Sequence, residues 1–222
     1  MTHYSLDTSA AREADNRSGR ITEIGKYIGM FTRAEDTTSQ RGTKGIEFAF
    51  ETPSHQTANF TIYTYKSTGE PLPGFSQIQA LMTCLHVRNM EAKTAPVRKW
   101  DSVAGKVIDT RGEVFEALMN KRVGVLFETE DYPKKDGSIG TKVMPAYFFD
   151  GSTELVASEI LDKKTTPMIL EKLVKSLRHR PMRNSNGTPN MAGYDAAFGA
   201  AKRPSYDDGK PMPDDDVDDI PF

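Results

Sequence analysis

Aromatic and cationic side chains are the residues of this chain whose types and spacing best suit chemistry with a ligand. Tyr63 and Tyr65 are two positions apart in "ANFTIYTYK", which predicts that both rings face outward from one strand, about 6 to 7 Å apart. Such rings stack on planar ligands, and cations near them attract anions. The further candidates of these two kinds are Arg33, Arg41, Lys44, Lys66, Arg98, Lys99, Trp100, Tyr132, Lys134 and Lys135.

A second group of candidates lies in residues 214–222, "DDDVDDIPF". Phe222 combines an aromatic ring with the α-carboxylate, which suits an apolar pocket beside an Arg or Lys, and Pro221 limits the entropy lost on docking. The aspartates would steer the segment toward basic partners. A purely solubilising tail would explain the acids but not the apolar end, so we predict a protein-interaction tip. It consists of Asp214, Asp215, Asp216, Asp218, Asp219, Ile220, Pro221 and Phe222.

Catalytic motifs are missing from the sequence. It contains no phosphate-binding Gly-rich loop, no dinucleotide fingerprint and no His-Glu-x-x-His pattern. The four histidines are scattered, and together with one cysteine they give no zinc-ligand spacing. Cys84 lies in an apolar stretch where a small buried side chain is the expected role. We therefore predict a protein that is not an enzyme and that uses no cofactor and no metal.

The charge of the chain is divided unevenly, although its formal net value is only −2. Residues 20–180 carry 23 Lys or Arg and 20 Asp or Glu, whereas residues 181–222 carry 4 and 8. A mildly basic body with an acidic end is typical of nucleic-acid-binding proteins with a charged tail. The single cysteine, together with the lack of a signal sequence or a long apolar run, predicts a soluble protein of the cytoplasm.

Apolar alternation predicts three antiparallel strands, in "KYIGMFTRAE", "GIEFAFET" and "ANFTIYTYK". Their phenylalanines are assigned to the core. Two further strands are predicted in "RVGVLFETE" and "TKVMPAYFFD", joined by an exposed loop. The core phenylalanines are Phe31, Phe48, Phe50 and Phe60.

Three helices are predicted between and after these strands. The first carries an apolar face from Phe75 to Leu85 with Ser76 as its N-cap, and the second lies in "TRGEVFEALMNK". Between them, "KTAPVRKWDSVAGK" is predicted to be a loop. The third occupies "TTPMILEKLVKSLRHR", with Thr166 as N-cap and Pro167 in the first turn.

These elements predict a mobile arm at residues 1–18, one domain at residues 19–180 and a disordered acidic tail at residues 181–222. Five strands with a helical insertion between the third and fourth favour a mainly β OB-fold, a Greek-key barrel that binds oligonucleotides on its second and third strands. A generic antiparallel α+β sheet is the alternative.

The tip and the predicted strands of the body each resemble part of a known group of proteins. "DDDVDDIPF" is similar to the C-terminal end of bacterial single-stranded DNA-binding proteins, and "YIGMFTRAEDTTSQRGTKGIEFAFETP" with "NFTIYTYKSTGEPLPG" and "IQALMTCLHVRNM" resembles the bacteriophage single-stranded DNA-binding proteins of the OB-fold type. The resemblance implies binding of single-stranded DNA by the body and recruitment of replication, recombination or repair proteins by the tip, in a host cytoplasm. Val217 interrupts the acidic run, and the oligomeric state does not carry over.

Single-stranded DNA binding without sequence preference needs aromatic platforms and cations that follow the phosphates. Tyr63, Tyr65 and Trp100 are the predicted platforms, although the tyrosines could instead be core residues and the tryptophan could pin a loop. The cations could instead be solvated. Two other functions remain open, namely an annealing or recombination mediator and a replication scaffold whose body binds no DNA.

Overall fold

The computed structural model describes residues 19–101, 105–134 and 138–182, together with Leu6 and Thr8. The predicted N-terminal arm and the predicted tail therefore lie almost entirely outside the described residues. Within these ranges, no helix combines the length and the apolar character that crossing a membrane requires.

The described chain is mainly β, with one sheet that curls like half of a barrel and few helices. Its strands are β1 (Gly19–Arg20), β2 (Gly25–Thr38), β3 (Lys44–Glu51), β4 (Gln56–Tyr65), β5 (Lys93–Asp101), β6 (Lys106–Val114), β7 (Arg122–Pro133), β8 (Ile139–Asp150) and β9 (His179–Arg180). Its helices are α1 (Pro73–Cys84), α2 (Ala157–Leu161) and α3 (Leu170–Ser176), with a 3-10 turn at Glu116–Leu118.

Strand β2 joins the two parts of the sheet. Its first six residues, Gly25 to Met30, pair antiparallel with β7, and the stretch from Met30 to Thr38 pairs with β3. The sheet continues from β3 to β4 on one side and from β7 to β8 on the other. A bulge in β2 between Phe31 and Arg33 bends the strand, and the bend curls the sheet around its core.

Phenylalanine rings form the centre of the core. The ring centroid of Phe31 lies 4.7 Å from that of Phe48 and 6.2 Å from that of Phe60, and the Phe50 ring lies 5.7 Å from that of Phe127. These separations are the ones that aromatic pairs prefer. The four predicted core phenylalanines are all at most 6% exposed, so their assignment is confirmed.

Helix α1 packs under β4 and closes one end of the core. The predicted apolar face is confirmed, but the helix begins at Pro73 after Leu72, and Ser76 is not its N-cap. A proline is favoured at the first helical position because its missing N–H would lack a partner there anyway. Gly74 permits the contact with β4, since a Cβ there would lie 2.2 Å from the carbonyl oxygen of Tyr63. The buried residues of the face are Ile78, Leu81, Met82 and Leu85.

The segment predicted as a loop followed by a helix is instead the β5–β6 hairpin and a 3-10 turn. Its two strands pair antiparallel from Lys93 opposite Val114 to Asp101 opposite Lys106. Among the described side chains of the hairpin, only Val97 and Val114 are deeply buried. A strand pair with so few apolar residues shows little alternation, which is why the sequence pattern missed it.

The last helix is shorter than predicted. α3 begins after Ile169, not at Thr166 and Pro167, and ends at Ser176. The predicted apolar stripe is confirmed, because Leu170 and its partly buried neighbours on α3 and at its two ends pack with Leu126, Phe149 and Val156 in a second, smaller cluster. The neighbours are Ile169, Leu173, Val174 and Leu177.

The fully buried Glu159 explains the late start of α3. One carboxylate oxygen accepts the backbone N–H groups of Met168 (2.6 Å) and Ile169 (3.0 Å), and the other accepts that of Val156 (3.1 Å). Burial alone would raise the pKa of this carboxyl, but the three N–H donors and the charge of Lys164 outweigh it and lower the pKa. The ionised carboxylate therefore holds the chain between α2 and α3 in place.

We predict that Glu159→Gln destabilises the fold at neutral pH by about 2 kcal/mol, because the amide replaces one accepting oxygen with a donor group. The stabilisation from a carboxyl with a lowered pKa is present above its unfolded value near 4.5 and is lost as the pH falls through the folded value. The difference between wild type and variant should therefore shrink below about pH 4.5. Urea unfolding across this range measures it, and equal stabilities at neutral pH would contradict the account.

Candidate nucleic-acid interface

The two predicted platform tyrosines lie on opposite faces of the sheet. Tyr63 pairs with Gly45, whereas Tyr65 pairs with the preceding residue of β3, Lys44. This bulge puts the extra residue Thr64 into β4, so the alternation of side chains changes phase between the two tyrosines. The prediction that both rings face outward from one face is therefore wrong.

Tyr63 is 43% exposed on the outer face, which is the face of β2, β3 and β4 opposite the phenylalanine core. Its ring stands at the end of a row of uncharged polar residues in β4, namely Thr57, Asn59 and Thr61. Such a row offers hydrogen-bond donors and acceptors beside an exposed aromatic ring. A planar ligand could stack on the ring and be hydrogen-bonded by its neighbours.

Tyr65 packs against α1. Its ring centroid lies 5.4 Å from that of Phe75, and both residues are half-buried. The ring of Tyr65 therefore belongs to a different surface from that of Tyr63. A role of Tyr65 in ligand binding stays a prediction. A ligand that contacts Tyr65 has to bind at the surface beside α1.

Arg33 belongs to a charged cluster on the outer face and does not line an open groove. Its guanidinium donates a 2.9 Å hydrogen bond to Glu35 and another to Glu47. The two glutamates lie directly opposite each other on β2 and β3, so Arg33 neutralises a pair of carboxylates that would otherwise repel. Arg33 is only 8% exposed. Contact with a phosphate would require this cluster to break.

Lys99 connects the β5–β6 hairpin to the same cluster. Its Nζ donates a 2.8 Å hydrogen bond to Glu35, and its side chain remains 39% exposed. Gly112 on β6 makes the approach possible, since a Cβ there would lie 2.5 Å from a carboxylate oxygen of Glu35. The hairpin lies beside β2, where Val114 pairs with Glu35, and the side chain of Lys99 reaches Glu35 from there. We refer to Arg33, Glu35, Glu47 and Lys99 as the outer-face ion cluster.

The other predicted residues of the hairpin are Arg98, which lies away from this cluster, and Trp100, whose side chain is outside what the structure describes. The side chain of Arg98 is 80% exposed and forms a 3.1 Å ion pair with the equally exposed Asp109. Trp100 lies in β5, where its backbone pairs with that of Val107. The position of its side chain is outside what the structure describes, so its predicted stacking role stays a prediction.

Three predicted cations converge at the end of the sheet where Tyr63 and Tyr65 lie. Arg41 is exposed in the turn between β2 and β3, Lys44 is exposed at the start of β3, and Lys66 is exposed just after β4. The two turns touch, because a Cβ on Gly42 would lie 3.0 Å from that of Ser67. We refer to Arg41, Lys44 and Lys66 as the turn cations.

Acidic residues partly offset the turn cations. Lys66 forms a 2.7 Å ion pair with Glu70, and the exposed Asp36 lies near Lys44 at the end of β2. An exposed ion pair such as the one between Lys66 and Glu70 has little net energy and opens readily. The lysine can therefore exchange its carboxylate for a phosphate.

The predicted residues between β7 and β8 are only partly described. Tyr132 is half-buried with its ring over Gly140, where a Cβ would lie 2.7 Å from a ring atom. The Nζ of Lys142 lies 5.9 Å from the centroid of the same ring. Lys134 is exposed, and Lys135 lies outside the described residues. These contacts hold Tyr132 against its own hairpin.

Sequence reasoning missed the two glutamates of the outer-face ion cluster. The alternation in β3 does place Glu47 on the face opposite the core, so that part of the signal was present. Only the register between β2 and β3 shows that Glu47 lies opposite Glu35. Register depends on contacts between distant parts of the chain, which no local pattern contains.

The single cysteine of the chain, Cys84, lies in the core. Cys84 is 2% exposed, and its burial, together with the charge of Asp150, raises the thiol pKa to about 12. The thiol is therefore protonated at neutral pH, and it packs as a small apolar group. Over the described ranges, no group of three or more His, Cys, Asp and Glu is placed to hold a metal ion.

The predicted protein-interaction tip, residues 214–222, lies outside the described residues. Comparison with known protein families gives no match, and a search of curated proteins gives none either.

We predict that Arg33→Met destabilises the fold by about 3 kcal/mol, because it leaves two opposed carboxylates without their shared cation. The matched control is Arg98→Met, which removes an exposed pair and should change the unfolding free energy by less than about 0.5 kcal/mol. Adding Glu35→Gln to the first variant should recover part of the loss. Urea unfolding of the three variants measures these differences, and equal losses for the two arginine variants would refute the structural role of Arg33.

Proposed function

We propose that this chain binds single-stranded DNA without strong sequence preference and coats it during replication, recombination or repair. The observation that carries the proposal is the exposed ring of Tyr63 on an uncharged stretch of β4, with the turn cations at the end of the same strand. This combination offers stacking to bases and charge to phosphates, which are the two contacts that sequence-tolerant binding requires.

The proposed fold is an OB-fold with an inserted hairpin. An OB-fold is a five-stranded, partly open barrel. We assign its strands to β2, β3, β4, β7 and β8, which are adjacent in the order β4, β3, β2, β7, β8. In this assignment α1 follows the third strand, and the β5–β6 hairpin is inserted before the fourth.

This assignment places the proposed DNA site where OB-folds bind their ligands. Such folds use the face of their second and third strands, here β3 and β4, and the loops after their first and fourth strands. The first of these loops is the turn that carries Arg41, and the second is the loop between β7 and β8, which begins near Lys134. Tyr63 lies on the third strand of the assignment and on the face opposite the core.

The charges of the site indicate a weakly basic path. The turn cations stand at one end of β4, while Lys99 and Arg33 are already engaged by the glutamates of the outer-face ion cluster. Binding should therefore depend on salt, with a modest number of phosphates neutralised. Stacking on Tyr63 would supply much of the remaining affinity.

The proposal gives residues 214–222 a separate role, the recruitment of partner enzymes. The aspartates supply long-range attraction to basic partners, and Ile220, Pro221 and Phe222 supply the specific contact. A short segment of this kind binds weakly and exchanges quickly, which suits the handover of DNA between enzymes.

We predict that Tyr63→Ala weakens binding of a short oligo-dT by roughly 5- to 100-fold, because it removes one stacking platform. Tyr147→Ala is the matched control, since Tyr147 is a similarly exposed tyrosine (41%) on β8. The control should bind as wild type does. Fluorescence anisotropy at low salt measures both affinities, and equal affinities for the two variants would contradict the role of Tyr63.

We predict that deletion of residues 214–222 tightens binding of oligo-dT at low salt. A tethered polyanion has a high local concentration near the turn cations and competes with phosphate. The gain should fade as salt is raised, because salt screens both interactions. The matched control replaces only Ile220 and Phe222 with Ala, which keeps the aspartates and should leave the affinity as in wild type. Unchanged affinity and an unchanged salt slope after deletion would rule out the competition.

A further inference from the structure

A groove of about 320 Å³ opens beside α1, at the end of β3 and β4 and on the side of the sheet opposite to Tyr63. Three half-buried aromatic rings, those of Tyr65, Phe75 and Phe115, line it together with Met90. Aromatic rings that stay half-covered around one opening are typical of a ligand-binding groove. We call this opening the Tyr65 groove.

The shape of the Tyr65 groove follows from two backbone features already described. The bulge at Thr64 turns Tyr65 away from the outer face and toward α1. Gly74 brings the first turn of α1 against the backbone of Tyr63, which places the ring of Phe75 beside that of Tyr65. The floor is closed by the buried side chains of Ile46 and Ile78. The groove is therefore a feature of the folded backbone and does not depend on one mobile side chain.

The rim of the Tyr65 groove carries one charge of each sign, on Lys44 and Asp36. A carboxylate at the rim disfavours a phosphate inside the groove, while the lysine and the other turn cations favour phosphates just outside it. The best occupant is therefore an uncharged aromatic group that is attached to an anionic chain. A nucleobase in single-stranded DNA has this chemistry.

We infer that the Tyr65 groove is a subsite that takes one unstacked nucleobase, with the flanking phosphates held by the turn cations. The inference rests on the proposed function, and it adds a base-binding position on the other side of the sheet from Tyr63. Its volume is near the lower end of the roughly 300 to 1,000 Å³ of small-ligand pockets, which suits a single base. The DNA therefore passes around the end of β4 and uses Tyr63 on one side and the groove on the other.

The inference also explains how two tyrosines on opposite faces serve one ligand. The turn cations lie at the strand end between the two surfaces, so a backbone that follows them can present one base to each. Single-stranded DNA is flexible enough to make this turn, whereas duplex DNA is stiff over such a distance. The groove therefore favours single strands.

The test fills the groove in the full-length chain with Gln79→Trp, because Gln79 is exposed on α1 and lines the opening. Ser76→Trp is the matched control, since Ser76 is exposed on the same helix and does not line the groove. Phe75→Leu is a second variant that removes the ring and keeps an apolar side chain. Three probes are used, namely a short oligo-dT, an abasic deoxyribose-phosphate oligomer of the same length and charge, and a peptide of residues 214–222.

We expect Gln79→Trp and Phe75→Leu to weaken oligo-dT binding by roughly 5- to 100-fold and to leave binding of the abasic oligomer unchanged. Ser76→Trp should match wild type with all three probes. The subsite is refuted, while DNA binding itself stands, if Gln79→Trp and Phe75→Leu bind oligo-dT as tightly as Ser76→Trp does. It is also refuted if these two variants lose as much affinity for the abasic oligomer as for oligo-dT. If wild type binds neither oligomer at low salt, the proposed function fails as well. If the two groove variants lose binding of the peptide of residues 214–222 but keep binding of oligo-dT, the groove is a peptide site and the inference is overturned.

Discussion

The pairing of β2 with both β7 and β3 is the constraint on which the rest of the structure depends. One half of this strand pairs with β7 and the other with β3, so the strand has to bend where the two pairings meet. The bulge after Phe31 supplies the bend, and it keeps Phe31 in the core while Arg33 points to the outer face. The curl of the sheet, the single phenylalanine core and the position of the outer-face ion cluster all follow from it.

A second bulge, in β4, determines how the candidate site is arranged. It separates Tyr63 from Tyr65 and gives the chain two aromatic surfaces with the turn cations between them. The outer face combines the exposed ring of Tyr63 with an uncharged polar row in β4, and it keeps Glu35 and Glu47 paired with Arg33 and Lys99. An unpaired carboxylate there would repel phosphate, so the outer-face ion cluster supports both the fold and the proposed function.

The sequence predicted the parts of the fold that depend on local alternation. The strands around the phenylalanines, the apolar face of α1 and the stripe of α3 were recognised because each repeats an apolar residue at a strand or helix period. The bulge at Thr64 was missed because it shifts that period by one residue. Simple alternation therefore assigned Tyr65 to the wrong face of the sheet. The β5–β6 hairpin was missed because few of its residues are apolar, so the strand period hardly shows. The ion pair of Glu35 with Lys99 joins distant segments, and no local pattern contains it. The charged and aromatic residues of the candidate site were visible in the sequence. Which of them lie together depends on the register between the strands, which the sequence pattern does not contain.

We propose that the body of this protein binds single-stranded DNA through stacking and a small number of phosphate contacts. The most direct measurement is the anisotropy of a labelled oligo-dT titrated with the full-length chain over a range of salt, roughly 50 to 200 mM. We expect saturable binding that weakens steadily as salt is raised and that persists in part because stacking is insensitive to salt. No binding at the lowest salt concentration would contradict it.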